Sequence, residues 1–540
     1  MIQKRLFTCF VVAGLVSVPA ASVPAGSDPE GAAAPATAVS TSDSSDADGA
    51  ALRAGGTCSS KAQAQAAIRD SEHSKRDVAA PSGARPSWKA AGGQGFVFFG
   101  ASVATAGDVN GDGYDDVVVG AFFYNNDEVN QGRAFVYHGS TSGLSATADW
   151  TAEGDQAGAR FGVSVGNAGD VNGDGYDDVV IGESHWNYGP LVDMGRAFVY
   201  HGSASGLSAT ADWIGRGDQV GALFGGSVGT AGDINGDGYD DVIVGARLYN
   251  GIGSEVDEGQ AFVYHGSASG LSSTPDWRGE SNQNGALFGV SVGTAGDVNG
   301  DGYDDVVVGA FNYDGGSGCC EEGRAFVYHG SASGLSTTAD WMVEGDQGAA
   351  HLGISVATAG DVNGDGYDDV VVGAPNYDNG QDDEGRAFVY HGSASGLSTT
   401  PDWTAEGNQV NAEFGWSVGT TGDVNGDGYD DVLVGARFYD HGLSGVPDEG
   451  RAFVYFGSAS GLSATATAHW MAESDQVDAR FGSSVGTAGD VNGDGYDDGI
   501  GGAPLYEDRH TNEGVAVVFH GRGTAAAPRQ PDWSEARQAP

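Results

Sequence analysis

Residues Gly107-Asp108-Val109-Asn110-Gly111-Asp112-Gly113-Tyr114-Asp115-Asp116 run straight into Val117-Val118-Val119-Gly120-Ala121. The Asp-rich string returns along the chain, with Ile for Val in one copy, and its first Asp stands at 108, 170, 233, 297, 361, 423 and 490. The spacings are 62, 63, 64, 64, 62 and 67 residues. A unit of that length holds about four strands of five to six residues with their turns, which matches one propeller blade. Repetition has to be recognised before length is read, because 540 residues alone suggest roughly two to four domains.

Each unit resolves into four segments. The first begins Phe-Gly and runs through Ser-Val, as in Phe161-Gly162-Val163-Ser164-Val165. The second is the apolar run after the Asp-rich string, the pattern of a strand buried on both faces. The third is Arg133-Ala134-Phe135-Val136-Tyr137-His138-Gly139 and its copies, rich in the aromatic and branched residues that suit strands. The fourth reaches a tryptophan, at Trp150, Trp213, Trp277, Trp341, Trp403, Trp470 and Trp533. No segment has helical periodicity, so the array is all-β. A lone blade exposes both sheet faces, and seven copies predict a closed seven-bladed ring of four-stranded blades. Trp88, with Gly92 and Gln94 behind it, reads as an eighth fourth-segment. The Trp88 strand is expected to complete blade seven, because the chain ends seven residues after Trp533. Blade seven is also the weakest, with Gly499, Ile500 and Gly501 where other blades carry valines.

The ends read differently. Lys4 and Arg5 precede an apolar run from Leu6 to Val18 and a small-residue site at Val18-Pro19-Ala20, so residues 1–20 are expected to be an export signal. The run is too short for a membrane helix, which needs about 20 apolar residues. Residues 21–86 are Ala, Ser, Asp and Gly with few large apolar side chains, a composition expected of a flexible tether. The propeller is assigned to 87–535 and a short tail to 536–540. Cys58, Cys319 and Cys320 remain after the signal. They leave open a bridge from Cys58 to one of the pair and a vicinal bridge between Cys319 and Cys320.

Gly is 93 of 540 residues without a Gly-X-Y period, and Pro is only 15, which excludes collagen. The formal charge is −50, from 74 acidic and 24 basic residues. Such a surface repels nucleic acid and anionic membranes, whose affinity comes mainly from their phosphates. The seven loops hold 28 of those acids, and seven divalent ions would bring −50 to −36.

The loop chemistry fits a hard cation. Calcium takes six to eight oxygens at about 2.3–2.6 Å, and alternating side chains in a tight turn can supply them. In the first copy Asp108, Asn110, Asp112 and Asp116 offer side-chain oxygens and Tyr114 its carbonyl. Asp115 is expected to point outward. The equivalent sets are Asp170, Asn172, Asp174, Tyr176, Asp178; Asp233, Asn235, Asp237, Tyr239, Asp241; Asp297, Asn299, Asp301, Tyr303, Asp305; Asp361, Asn363, Asp365, Tyr367, Asp369; Asp423, Asn425, Asp427, Tyr429, Asp431; and Asp490, Asn492, Asp494, Tyr496, Asp498. Seven calcium ions are therefore expected. An EF-hand would need a bidentate Glu at position twelve between two helices, but that position is Val119 within a β run. An isolated Asp-Gly turn often binds nothing, whereas seven copies keeping every donor argue for metal.

The Phe-Gly start, the Asp-rich loop and the Gly-Ala-Pro end (Gly373-Ala374-Pro375, Gly502-Ala503-Pro504) resemble FG-GAP repeats, the blades of the integrin α-subunit N-terminal propeller. The resemblance covers roughly Trp88 to Trp533. It implies calcium loops joining the first and second strands on a lower face, and a partner site on the upper face. Gly182-Glu183-Ser184 and Gly245-Ala246-Arg247 depart from Gly-Ala-Pro, which makes their upper rims individual.

Most other polar residues follow the repeat. His138, His201, His265, His329, His391 and His520 share one position, with Phe456 in the remaining blade; a catalytic base is needed once, so a structural role is expected. Arg216-Gly217-Asp218 spells an integrin-recognised tripeptide, but Gly-Asp-Gln recurs at the same place in other blades. The connections between second and third segments vary most: Phe122 and Phe123, His185 and Trp186, Arg247, Cys319 and Cys320, Arg437 and His441, Arg509 and His510. Variable loops on a rigid ring are where recognition concentrates. The expected function is a secreted, calcium-binding, non-catalytic adhesion or ligand-binding module for an extracellular protein or glycan. The alternatives are a propeller hydrolase or lyase, with Glu183, His185 and Trp186 as its nearest candidates, and a structural surface component.

Overall fold

In the computed structural model, residues 87–251, 256–315, 320–440, 448–463 and 467–523 are described. The assignments at 1–20, 21–86 and 536–540, and the expectations for Cys58, Cys319, His441 and Trp533, lie outside them. Seven four-stranded antiparallel sheets form a ring, with no helix among the described residues. In blade one the strands, from channel to periphery, are Ser102–Gly107, Asp116–Ala121, Arg133–Tyr137 and Trp150–Glu153.

Each residue pattern finds its place for a physical reason. The second strands are buried along their whole length in blades one to six, which explains their unbroken valine character. Neighbouring sheets press together through shared apolar seams. Between blades two and three, Val180, Val199 and Trp213 meet Val242, Val244, Phe262 and Leu271. Each such buried side chain contributes about 1.5–3 kcal/mol relative to exposure.

Three sets of polar and aromatic contacts tie blade to blade. The inner-strand serines Ser102, Ser164, Ser227, Ser291, Ser355, Ser417 and Ser484 each accept a hydrogen bond from the following blade's valine N–H, at 3.0–3.2 Å. At the periphery, the outer-strand tryptophans pack edge-on against a Tyr (Phe519 in blade seven) of the following blade, with centroids 4.7–4.9 Å apart. The third set lies in the Asp-rich loops.

The ring closes as the surplus tryptophan predicts. Trp88–Ala91 pairs antiparallel with Val515–Phe519 and is the outer strand of blade seven. Trp88 then reaches into blade one, against Tyr137 at 4.8 Å, and its Nε1 donates to the Ser145 carbonyl at 2.8 Å. The closing blade thus joins two chain segments more than 420 residues apart.

Candidate metal centres on the lower face

Each Asp-rich loop joins the first and second strands of its blade, and all seven share one face. The first shows how the chain builds the turn. The Asp108 carboxylate accepts from Asp112 N–H at 3.0 Å and Gly113 N–H at 2.8 Å, and Asp112 Oδ1 accepts from Tyr114 N–H at 3.2 Å. Gly111 is required twice over. Its φ is +70°, and a Cβ there would strike the ring of Tyr176 from the next blade's loop.

The ninth position carries the sharpest electrostatic feature. Asp116 is wholly buried and accepts from Val109 N–H at 3.2 Å and Gly139 N–H at 2.8 Å. Burial, with Asp112 and Asp108 close by, nevertheless pushes its carboxyl up to about 8. The same holds for Asp178, Asp241, Asp305, Asp369, Asp431 and Asp498. A buried anion beside two more anions is unstable without a positive charge.

These residues fit a hard cation. Every donor is an oxygen, and each carboxylate bonded to loop amides keeps lone pairs to spare. In the sixth loop, buried Asn425 turns its NH2 toward Asp431, leaving its buried Oδ1 without a hydrogen-bond partner. In the third, Asp241 Oδ2 is buried and likewise lacks a full hydrogen bond. Among the described residues no three His, Cys, Asp or Glu side chains already converge as a cage. Like charges separate, and the loop carboxylates turn to amides instead.

One expectation is corrected. Asp115 does not point outward: it is half-buried, and its Oδ2 accepts from Asp490 N–H of blade seven at 2.8 Å. Asp177, Asp240, Asp304, Asp368, Asp430 and Asp497 do the same for the preceding blade's loop, at 2.8–2.9 Å. The first Asp of the pair's two acids clips loop to loop; the second serves its own loop. The signal was available in the unbroken recurrence of both acids, as it was for the Ser of Ser-Val.

The repeated histidines are wedges between blades. His138 packs against Gly206 of the next blade, where a Cβ would lie 3.1 Å from its Cε1, while its N–H donates to Asp149 Oδ2 at 2.9 Å. Blade six exchanges the pair: Phe456 takes the His position and donates its N–H to Nδ1 of His469, which takes the Asp position, at 2.9 Å.

On the opposite face, several variable residues turn inward. Phe122, Phe123, Trp186, Arg247 and Arg437 are all buried. Arg437 lies over Trp416 with its Nε on Glu413 at 2.6 Å. In blade two, Glu183 is paired with Arg196, burial pushing its carboxyl up to about 7. Trp186 covers the same Arg196, and His185 Nδ1 bonds to Ser184 at 2.8 Å. Asp218 of the Arg-Gly-Asp string pairs with Arg278 at 3.2 Å.

Large apolar side chains also project from this face. Of the eleven large hydrophobic side chains exposed among the described residues, nine lie in the upper connections: Phe96, Val129, Tyr188, Leu191, Val192, Val220, Val256, Val410 and Val477. The other two, Ile214 and Met342, are on outer strands.

Fold and loops together define a class, and comparison with known proteins agrees. Six segments, 99–137, 161–200, 224–264, 288–328, 352–390 and 414–455, match the FG-GAP repeat, so the chain is an FG-GAP repeat propeller. Its curated relatives include integrin α chains. It is 29% identical to integrin alpha-4 of Xenopus laevis over 49% of this chain and 24% of that one. It is 34% identical to integrin alpha-V of Gallus gallus over 38% and 19%, and 36% identical to integrin alpha-6 of Homo sapiens over 28% and 12%. The chain spans about a quarter or less of these relatives' length. A solved exotype rhamnogalacturonan lyase aligns over 78% of this chain and 72% of its own at 15% identity, with a TM-score of 0.39, too low to bear on function.

Proposed function

We propose that the chain is an exported, calcium-braced binding or adhesion module that holds its partner on the upper rim and performs no catalysis of its own. The observation that carries this reading is the concentration of exposed apolar side chains on that rim. Apolar surface gathered on one face of a rigid scaffold is the usual mark of an interaction site. Valines and a tyrosine favour a protein partner over a glycan, which would call for more polar donors. Sequence similarity to integrin α chains supports the adhesion reading, and the charged N-terminus followed by an apolar run supports export.

Calcium belongs to the other face in this reading. One ion per loop would take Asp108, Asn110, Asp112, the Tyr114 carbonyl and Asp116, or their equivalents, neutralising the buried ninth-position carboxylate. Extracellular sites of this class bind at roughly 10⁻⁴–10⁻³ M. Calcium here supplies rigidity to loops already clipped in a ring.

The test is a binding screen of the calcium-loaded chain against matrix proteins, glycans and cell surfaces, repeated after chelation and with Val192→Asp and Val220→Asp. Partner capture that the rim substitutions abolish supports the proposal. Capture that survives them, or maps to the loop face, overturns it, and turnover of a captured glycan would favour the rival reading of a propeller hydrolase or lyase.

A further inference from the structure

Neighbouring seams are filled by one recurring set of side chains. Between blades seven and one these are Val117 and Val119 of the second strand and Leu144 of the lower-face connection. Val242, Val244 and Leu271 repeat the arrangement between blades two and three, and Val432, Val434 and Leu462 between five and six. The seam between blades six and seven lacks both valines: Gly499 and Gly501 hold their positions, with the Phe481 ring packed against Gly501, and the sequence carries Ala526 where the other copies carry the leucine. The space left is a cavity of about 260 Å³. That lies between the size of an engineered apolar cavity that takes up benzene and the usual range of small-molecule pockets.

Packing does not require the openness at Gly499. A Cβ there would meet Thr421 Cγ2 at 3.5 Å and Leu433 Cδ2 at 4.0 Å, both ordinary contacts, and its backbone is not left-handed. Six other blades place valine at this position, which a strand prefers. Glycine inside a strand weakens it, and one setting where it persists is the close approach of a ligand. The cavity walls are apolar and largely aromatic: Trp470, Phe481 and Phe519 with Leu433 and Ile500. Its mouth is also the place where the blade-six His and Asp have become Phe456 and His469, stacked at 4.6 Å. Arg522 stands at the same mouth, exposed, and makes no ion pair with a described residue in a chain of net charge −50.

We propose that the seam between blades six and seven is a binding site for a small aromatic carboxylate, its one or two rings lodged among Trp470, Phe481 and Phe519 and its carboxylate at Arg522. Apolar walls with one placed cation select that chemistry: the rings take the buried volume and the guanidinium takes the charge. The rival occupant is the chain's own Trp533, which follows Gly523 at the cavity edge by ten residues.

The experiment is isothermal titration of the full calcium-loaded chain with 2-naphthoate, and with 2-naphthol as the uncharged probe. One-to-one saturable binding is expected. Gly499→Val should weaken it by about tenfold or more while raising Tm, because added methyl groups fill the space the ring needs. Gly499→Ala serves if the valine variant does not fold. Arg522→Ala should weaken naphthoate and leave 2-naphthol unchanged. Equal binding by wild type and Gly499→Val overturns the proposal, as does no binding by wild type. If Trp533→Ser then binds where wild type did not, the seam belongs to the tail.

Discussion

The two faces of the ring use repetition in opposite ways. On the lower face seven loops keep the same nine residues but for Ile234 in place of valine in the third, and the clip from the eighth-position Asp to the preceding loop is also repeated seven times. On the upper face the equivalent positions differ from blade to blade, as with Phe122, Arg247 and Arg437, and nine of the eleven exposed large apolar side chains among the described residues gather there. A contact needed at every seam of a closed ring must recur in every blade. Recognition of one partner needs one asymmetric surface, so it accumulates where the repeat is broken. The recurrent residues of this chain hold the scaffold, and the departures carry its individuality.

Calcium removal tests the lower half of that comparison and should have the largest effect. At calcium ten times its Kd each site would contribute about 1.4 kcal/mol, and seven sites about 10 kcal/mol. With an unfolding entropy of about 0.9 kcal/mol per kelvin for a propeller of this size, excess chelator should lower Tm by ~10 °C. The same treatment should leave the secondary structure at low temperature intact. A melt that does not move, with metal content verified as zero, would contradict the bracing role.

Acidity should act next, and in a direction that depends on the metal. The ninth-position carboxyls stand at about 8 when buried in the fold, against 3.8 ordinarily. Between those values the folded chain holds protons that the unfolded chain has released, so metal-free stability falls as pH rises from about 4 to about 8. Chelated protein should therefore melt several degrees higher at pH 5.5 than at pH 8. Calcium needs the deprotonated carboxylate, so its stabilising increment should shrink over the same fall in pH. Differential scanning calorimetry at three pH values, with and without calcium, reads both slopes. A chelated Tm that rises with pH would show that these carboxyls are not buried as described.

Much of this architecture was legible because the chain states it seven times. Strand number, blade number and ring closure follow from the spacing of one string and from counting eight tryptophans for seven outer strands. What stayed hidden was direction. In Asp115-Asp116 both residues are acids next to buried valines, and sequence alone does not tell which turns to its own loop and which to a neighbour. Only the ring, which sets one loop beside the next, distinguishes them. The rim residues misled for a similar reason: Phe122 and Arg437 sit in variable connections, yet Phe122 packs against Phe98 and Phe123 and Arg437 against Trp416 and Glu413, so both are buried. The cavity could be anticipated only as weakness, from Gly499 and Gly501, because its volume depends on what the adjoining blade does not fill.

Breaking one clip should have a smaller effect than acid. Asp115→Ala leaves the Asp490 N–H without its acceptor at the closing seam. Loss of a hydrogen bond to a charged group costs about 1.5–3 kcal/mol, or ~2–3 °C here. Asp115→Asn keeps an acceptor oxygen and should recover most of the loss. If the residue merely faced solvent, alanine and asparagine would be equally harmless, so the pair of melts separates the two arrangements.

The rim substitutions should move stability least and function most. Val192 and Val220 are each 51% exposed, and the N–H of Gly221 donates to the Val192 carbonyl at 3.0 Å, so the two connections form one surface. Exposed substitutions of this kind change stability by about 0.5 kcal/mol or less, and the Tm of Val192→Asp/Val220→Asp should stay within ~1 °C of wild type. Two carboxylates in the middle of an apolar contact should nonetheless weaken partner capture by about tenfold or more, because desolvating an unpaired charge opposes association. The same pair of charges placed on the loop face should leave capture unchanged as long as calcium is saturating. Chelation then supplies the link between faces: if the loops only brace the ring, it should weaken capture in proportion to lost folding, and capture by the cold, still-folded chain should persist. Immediate loss of capture from a chain that remains folded would place calcium in recognition itself.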